Sequence, residues 1–296
     1  TSLATPAMRA LPIGVPKVMV STMASGDVSP YVGTSDIIMI PSVVDVEGLN
    51  DISRKIFSNA VNALVGMVQN QKEIKGDGKP LLAATMFGVT TPCIKTAKEY
   101  LEAQGYDVLV FHATGTGGQC MESLIDGGFI KGVLDITTTE WCDEVVGGVL
   151  SAGPNRLAAA GKAGIPQVVS VGALDMVNFG PWETVPAQFK ERNLYKHNPT
   201  VTLMRTTGEE LAVIGGKIAE KLNAAEGKTV MMLPLKGVSA IDVEGAPFYD
   251  AEADKVLFDT LREQLADNVE LIEMDHAVND DEFALAAAKK LIELLG

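Results

Sequence analysis

Short runs of consecutive apolar and β-branched residues alternate with longer amphipathic stretches, and this alternation constrains the fold most strongly. The segments VLVF and VMML are apolar at successive positions, which is typical of parallel strands covered on both faces. We predict strands at residues 17–21, 36–40, 81–86, 108–112, 132–137, 167–171, 229–233 and 270–274.

The stretches between these strands carry apolar residues at helical spacing. The clearest one spans residues 50–71, where Ile52, Ile56 and Leu64 belong to a single stripe. We predict further helices at residues 93–104, 119–126, 156–163, 209–223, 251–265 and 281–295. Strands that alternate with helices of this length predict an α/β fold with doubly wound, Rossmann-like, mostly parallel sheets.

One polar segment, QNQKEIKGDGKP at residues 69–80, follows the longest predicted helix. Its charges, glycines and final proline are typical of a boundary between independently packed units. We therefore predict an N-terminal Rossmann-like subdomain at residues 1–72, a linker at 73–79 and a C-terminal Rossmann-like subdomain at 80–296. The first has two predicted strands, so we expect it to be incomplete in this chain.

Charge and cysteine content restrict the partners of the protein. The 296 residues include 24 Lys and Arg against 38 Asp and Glu, a net charge of -14. Such a surface repels nucleic-acid backbones and anionic lipids, so we expect neither nucleic acid nor a membrane as partner. Cys93, Cys120 and Cys142 lack disulfide or zinc spacing, and the N-terminus lacks a signal-peptide pattern, which predicts a cytoplasmic location.

The segment at residues 108–128, VLVFHATGTGGQCMESLIDGG, joins a strand to a helix through a glycine-rich turn. Ligands of open α/β sheets bind at the carboxyl ends of strands, and helix N-termini bind anions through free N–H groups. Gly115, Thr116, Gly117 and Gly118 are therefore candidates for contacts to phosphate or carboxylate. The turn matches neither dinucleotide nor P-loop patterns, so a tight turn without a ligand remains the alternative.

Other strand ends carry polar residues that would line the same crevice. Arg205 immediately precedes a predicted helix, where its charge opposes the helix dipole and a bound anion would justify it. Glu140 and Asp175 also follow predicted strands and are candidates for holding Mg²⁺ through water. The long loop at residues 235–250, which contains Lys236 and Asp242, is a further candidate because long loops in compact domains tend to be functional.

Four segments resemble the family of Tm-one-like ATP-binding proteins, formerly an uncharacterised protein family. They are residues 4–56, HATGTGGQCMESLIDGG, PQVVSVGALDMVNFG and HNPTVTLMRTT. The resemblance covers essentially the whole chain and implies two Rossmann-like subdomains, ATP binding and a homodimer. Members of the family begin with a further stretch of roughly a hundred residues, so we expect that stretch to be absent here and to be a possible partner.

These observations predict a nucleotide-binding protein that holds ATP, with Mg²⁺, through the glycine-rich turn and Arg205. The reaction stays open. An alternative is an enzyme that acts on a small carboxylate or phosphate metabolite, with His112, Glu140 and His197 as acid–base candidates. A third option is a hydrolase with Thr1 as an N-terminal nucleophile, although proteolysis in a glycine loop or trimming of the chain explains Thr1 more simply. An interaction scaffold built on the helix at residues 50–71 is a fourth.

Overall fold

The computed structural model describes residues 1–71 and 78–296. The chain divides into two units, Thr1–Gly78 and Lys79–Gly296. Most of the linker predicted at residues 73–79 lies outside the described residues.

The first unit contains the two predicted strands and the long predicted helix. Its elements are α1 (Ala4–Arg9), β1 (Val18–Ser21), α2 (Ser29–Val32), β2 (Ile38–Pro41) and α3 (Asp51–Gln69). The two strands pair in parallel, with Val18 opposite Ile38. Asn50 caps α3, because its side chain accepts hydrogen bonds from the N–H groups of Ile52 and Ser53.

The second unit alternates strands and helices, with one antiparallel insertion. Its elements are β3 (Leu81–Met86), α4 (Thr91–Ala103), β4 (Asp107–His112), α5 (Thr116–Asp126), β5 (Gly132–Thr137), α6 (Glu140–Val146), α7 (Ala159–Ala163), β6 (Gln167–Gly172), β7 (Met176–Phe179), β8 (Leu194–Asn198), β9 (Val201–Arg205), α8 (Gly208–Asn223), β10 (Thr229–Pro234), α9 (Ala251–Gln264), β11 (Val269–Met274) and α10 (Asp281–Leu295).

Six strands of this unit form one parallel sheet in the order β11-β10-β6-β5-β3-β4. The predicted Rossmann-like α/β fold is thus confirmed. The strand order reverses between β3 and β5, because the chain leaves β3 for the edge strand β4 and returns to pair β5 with β3. Ligands of such sheets typically bind at this switch point.

Both faces of the central strands are buried, as the unbroken apolar runs predicted. Alternate residues of one strand belong to different cores: Met231 packs in the core that contains Leu211 and Leu257, and Met232 in the core that contains Ile94. Helices α8 and α9 therefore cover one face of the sheet, and α4 and α10 cover the other.

Three short strands were not predicted. The strands β7, β9 and β8 form a separate antiparallel sheet in that order. Their sequences MVNF, LYKHN and VTLMR are four or five residues long and mix polar with apolar residues, so they lack the strong pattern of the buried parallel strands. The prediction treated this region as strand-end loops.

Several helices begin or end at residues other than those predicted, and α6, which begins at Glu140, is not among the predicted helices. Helix α7 begins at Ala159 and not at residue 156, because Leu157 has a φ of 70° and leaves the helical region. Among the described residues, we find no helix with the length and apolar character needed to cross a bilayer.

The turn between β4 and α5 leads to a prediction at Gly117. A Cβ added there would lie 1.8 Å from the carbonyl oxygen of His112, whereas a Cβ on Gly88 would meet no atom within 4 Å. Gly117→Ala should therefore lower the free energy of unfolding by about 1–3 kcal/mol, and Gly88→Ala by no more than about 0.5 kcal/mol. Urea unfolding followed by circular dichroism compares the two. Equal midpoints would contradict the close packing of the turn.

Candidate functional site

The carboxyl ends of the parallel strands carry two buried groups of charged side chains. We call the first, formed by Glu122, Asp135, Glu140 and Arg156, the Arg156 cluster. We call the second, formed by Asp175, Arg205, Asp242 and Asp254, the Arg205 cluster. A cavity lies beside the second.

In the Arg156 cluster, one guanidinium binds two carboxylates from different elements. Arg156 Nη1 and Nη2 donate to the two carboxylate oxygens of Asp135 at 2.5 and 2.6 Å, and Nε donates to Glu140 Oε2 at 2.6 Å. The Arg156 side chain is 1% exposed. Paired contacts of this kind are the strongest that a guanidinium makes with carboxylates.

The glycine-rich turn holds a carboxylate of the protein itself. The N–H groups of Gly115 and Gly118 donate to Glu140 Oε1 at 2.7 and 3.1 Å. A Cβ on Gly118 would lie 2.3 Å from Glu140 Oε2, so glycine leaves the space that this carboxylate fills. The free N–H groups of this helix N-terminus thus bind an anion, but the anion is a carboxylate of the protein itself. Thr116 is exposed and Gly117 half-buried. A phosphate contact by these residues stays a prediction.

Both Glu140 oxygens are therefore engaged inside the protein, in contacts to backbone N–H groups and to Arg156. These contacts fit a structural carboxylate better than a water-bridged Mg²⁺ ligand. Within residues 1–71 and 78–296, no three His, Cys, Asp or Glu side chains are grouped so that they could hold a metal ion.

Arg205 at the end of β9 also has an internal anion as partner. Its Nη2 donates to Asp254 Oδ1 at 2.6 Å and to Asp242 Oδ1 at 3.4 Å. Its Nε and Nη1 donate to the Phe248 carbonyl oxygen and to Thr206 Oγ1. The charge that opposes the dipole of α8 is thus balanced by carboxylates of the protein, which the sequence alone did not indicate.

The Arg205 cluster has more carboxylates than cations. Burial raises the pKa of Asp242, and the neighbouring Asp175 and Asp254 raise it further. Burial likewise raises the pKa values of Asp175 and Asp254, although the Arg205 charge opposes the change in both. Asp175 Oδ2 accepts a hydrogen bond from Ser239 Oγ at 2.8 Å, whereas Asp175 Oδ1 is buried with no hydrogen-bond partner among the described residues.

The loop at residues 235–250 covers the switch point of the sheet. The Ala173 N–H after β6 donates to the Val238 carbonyl at 2.8 Å, and the Ala240 N–H donates to the Val89 carbonyl after β3 at 2.9 Å. Ser239 adds its bond to Asp175. The crevice predicted between the polar strand ends is therefore filled at this point by the chain itself.

An open cavity of about 670 Å³ lies between this loop and α9, near the carboxyl ends of β10 and β11. The volume falls within the range of small-molecule sites in proteins. The lining side chains that bear on its chemistry are three cations, three carboxylates and two aromatic rings: Lys236, Lys255, Arg262, Glu244, Asp254, Asp280, Tyr249 and Phe258.

The three acid–base candidates lie in different surroundings. His112 is exposed at the end of β4, with its ring centroid 5.4 Å from that of Phe87. His197 is exposed in β8, and Glu140 is fully buried in the Arg156 cluster. In the first unit, the Thr1 hydroxyl contacts the hydroxyl of Ser21. His112, His197 and Glu140 do not belong to the residues that line the cavity.

Sequence reasoning overlooked several residues of these clusters. Asp135 had a usable signal, because a carboxylate inside the buried strand GVLDIT requires a cationic partner. Asp254 had no such signal in the sequence, since an acidic residue in the first turn of a helix is common and interacts favourably with the helix dipole.

Comparison with known proteins places the chain in a family. The model of the "Uncharacterised protein family (UPF0261) N-terminal domain" matches residues 1–73, and that of the C-terminal domain of the same family matches residues 79–295. The chain belongs to the UPF0261 family.

Relatives of this UPF0261 chain occur in bacteria and in a plant. A UPF0261 protein of Clostridium tetani is 65% identical over 297 residues, which cover 100% of this chain and 73% of the relative. A UPF0261 protein of Mesorhizobium japonicum is 51% identical over 97% of this chain and 72% of its own length. The ToMV resistance protein Tm-1(GCR237) of Solanum lycopersicum is 49% identical over 99% of this chain and 40% of its own length.

Removal of the guanidinium at position 156 tests the Arg156 cluster. Arg156→Met leaves Asp135 and Glu140 buried without their cation, so the free energy of unfolding should fall by about 3–5 kcal/mol. Arg262→Met breaks two partly exposed ion pairs, with Asp259 and Glu273, and should cost no more than about 1 kcal/mol. Urea denaturation measures both. Similar losses in the two variants would show that the cluster is not a structural requirement.

A carboxylate next to this cluster gives a pH-dependent prediction. Asp143 in α6 accepts hydrogen bonds from the backbone N–H and the side-chain Nδ2 of Asn178 at 3.0 and 2.7 Å. Burial raises the pKa of Asp143 from 3.8 to about 6, although these hydrogen bonds oppose the change. The folded protein therefore holds this proton more tightly than the unfolded chain, and the resulting stabilisation disappears as the pH rises through 6.

Asp143→Asn removes the titrating group. Relative to this variant, the wild-type protein should lose about 2 kcal/mol of unfolding free energy between pH 4.5 and pH 7.5. Urea titrations at several pH values across this interval give the difference. A constant difference would contradict the raised pKa.

Proposed function

We propose that this UPF0261 protein is a nucleotide-binding protein that holds ATP in the cavity between the loop at residues 235–250 and α9. The observation that carries the proposal is the cavity itself, with a volume of about 670 Å³ and lining side chains that include Lys236, Lys255 and Arg262. The resemblance of the chain to ATP-binding proteins supports the choice of nucleotide.

Local charge supports an anionic ligand despite the acidic chain. The net charge of -14 repels a nucleotide at long range, so affinity must come from nearby cations. Lys255 and Arg262 both project from α9 and are exposed. Their carboxylate partners, Asp259 for both cations and Glu273 for Arg262, are partly exposed as well. Phosphate can therefore exchange with these carboxylates at low desolvation cost.

Two aromatic rings belong to the lining of the same cavity. Phe258 lies between Lys255 and Arg262 along α9 and is largely buried, so Tyr249 from the loop, 45% exposed, is the ring that a base can reach. Aromatic surface next to a few cations is common in sites for small organic anions. This combination favours the cavity over the glycine-rich turn, where the N–H groups of Gly115 and Gly118 already bind Glu140.

The proposal includes Mg²⁺ as the counterion of ATP, a homodimer and a cytoplasmic location. Exposed apolar residues on α3, among them Ile52, Val61 and Val68, support an association through that helix. The free cysteines Cys93, Cys120 and Cys142 support a reducing compartment.

An enzyme that acts on a small carboxylate or phosphate is the second candidate. The observation that favours it is the raised pKa of Asp254, a carboxyl group that lines the cavity. Carboxyl groups with raised pKa values in clefts are common in acid–base catalysis.

Isothermal titration calorimetry with ATP, in the presence and absence of Mg²⁺, tests the first candidate. Lys255→Ala and Arg262→Ala should each weaken ATP binding roughly 5- to 30-fold, the equivalent of about 1–2 kcal/mol. Lys217→Ala is the matched control, because Lys217 pairs with Glu220 on α8 much as Lys255 pairs with Asp259 on α9.

Lys217→Ala should bind ATP like the wild-type protein. Absence of binding heat from ATP and from ADP in the wild-type protein would refute the nucleotide proposal. Unchanged affinity in both α9 variants would place the nucleotide elsewhere.

A further inference from the structure

Asp254 connects the cavity to the buried Arg205 cluster. Its side chain is 8% exposed and lines the cavity on one side. On the other side, its Oδ1 accepts a hydrogen bond from Arg205 Nη2 at 2.6 Å, and its carboxyl is hydrogen-bonded to that of Asp242. A ligand in the cavity would therefore contact the Asp254 carboxyl group, which the buried partners Arg205 and Asp242 hold in position.

The cluster has a deficit of positive charge. Asp175, Asp242 and Asp254 surround the single guanidinium of Arg205, and all four side chains are buried. Full ionisation would leave uncompensated negative charge in a medium that solvates it poorly. A proton shared between carboxyl groups removes part of that charge.

A second observation indicates a bound proton in this cluster. Asp175 Oδ1 is completely buried and has no hydrogen-bond partner among the described residues, as fits an oxygen of an incompletely ionised group. Burial and the neighbouring carboxylates raise the pKa of Asp242, which is the direct partner of Asp254.

Charged groups face Asp254 from every element packed against it. Arg205 comes from β9, Asp242 from the loop after β10, Asp175 from the turn after β6, and Asp250 from the start of α9. On the cavity side, Lys236, Lys255 and Arg262 oppose Glu244 and Asp280. The three other carboxylates near Asp254 thus outnumber the one cation bonded to it.

We propose that Asp254 is the proton-exchanging group of the cavity, which shares a proton with Asp242 and donates it to a phosphate or carboxylate oxygen of the bound ligand. Arg205 and Asp242 are positioning residues that act through Asp254. The inference rests on the proposed cavity site and adds proton transfer to it.

The proton balance of this step is simple. The O–H bond at Asp254 breaks, and an O–H bond forms at the ligand oxygen. Asp254 is left as a carboxylate, which Arg205 Nη2 stabilises through its existing hydrogen bond. When the ligand leaves with the proton, Asp254 takes another from water in the cavity, and the hydrogen bond with Asp242 holds it there.

Carbon-13 NMR of protein labelled at the aspartate carboxyl carbons measures this titration directly. We expect the Asp254 resonance, assigned with Asp254→Asn, to titrate above the ordinary range of an aspartate. Asp242→Asn should raise this midpoint further, because the hydrogen bond from the Asp242 carboxyl lowers the pKa of Asp254 and an amide donates a weaker one. Asp259 is the control on the same helix, because Lys255 and Arg262 lower its pKa, and it should be unaffected by Asp242→Asn.

Ligand addition completes the experiment. ATP should move the Asp254 midpoint. An Asp254 midpoint in the ordinary range overturns the inference, whatever ATP does. A raised midpoint that ATP does not move, in protein that binds ATP by calorimetry, also overturns it.

Inorganic phosphate and acetate separate this inference from the nucleotide proposal. A raised midpoint that either anion moves, in protein that gives no calorimetric signal with ATP, supports the role of Asp254 and refutes nucleotide binding. An Asp254 midpoint that Asp242→Asn does not raise shows that the two carboxyls do not share a proton, and overturns the inference.

Discussion

The buried guanidinium of Arg156 is the contact on which the carboxyl end of the large sheet depends. It binds Asp135 inside β5 and Glu140 at the start of α6, and Glu140 in turn binds the N–H groups of the glycine-rich turn. The glycine-rich turn, the β5–α6 segment and the segment that carries Arg156 thus meet at one cation. Each carboxylate is nearly inaccessible to water, so without the cation it would be buried and unpaired. The positions of these segments therefore depend on one another.

Arg205 is a second buried cation that needs carboxylate partners. It lies at the end of β9, and its partners come from the loop at residues 235–250 and from α9. The two clusters differ in their access to solvent. Glu140 is closed off within its cluster, whereas Asp254 also lines a cavity of about 670 Å³. The buried charges of the Arg156 cluster are structural. Those of the Arg205 cluster lie next to a cavity in which a ligand fits.

This difference bears on how glycine-rich turns are interpreted in the UPF0261 family. A helix N-terminus attracts an anion whether that anion belongs to a ligand or to the protein. The turn between β4 and α5 takes the carboxylate of Glu140, which lies beyond the next strand. The open space and the exposed cations lie at the other end of the sheet, next to β10 and β11.

The sequence by itself determined the parallel α/β architecture. Strands 81–86 and 132–137 and the helix at 281–295 were predicted with the bounds that they have, because buried apolar runs and helical periodicity are local patterns. Sequence also marked Glu140, Arg205 and the loop at 235–250 as important. Only the tertiary structure decided their partners.

The strands β7, β8 and β9 were not predicted from the sequence, because short antiparallel strands gain their stability from pairing and not from composition. The ion pairs of Arg156 and Arg205 join residues up to 49 positions apart, and a charge requires a partner without specifying, in the sequence, which one it will be.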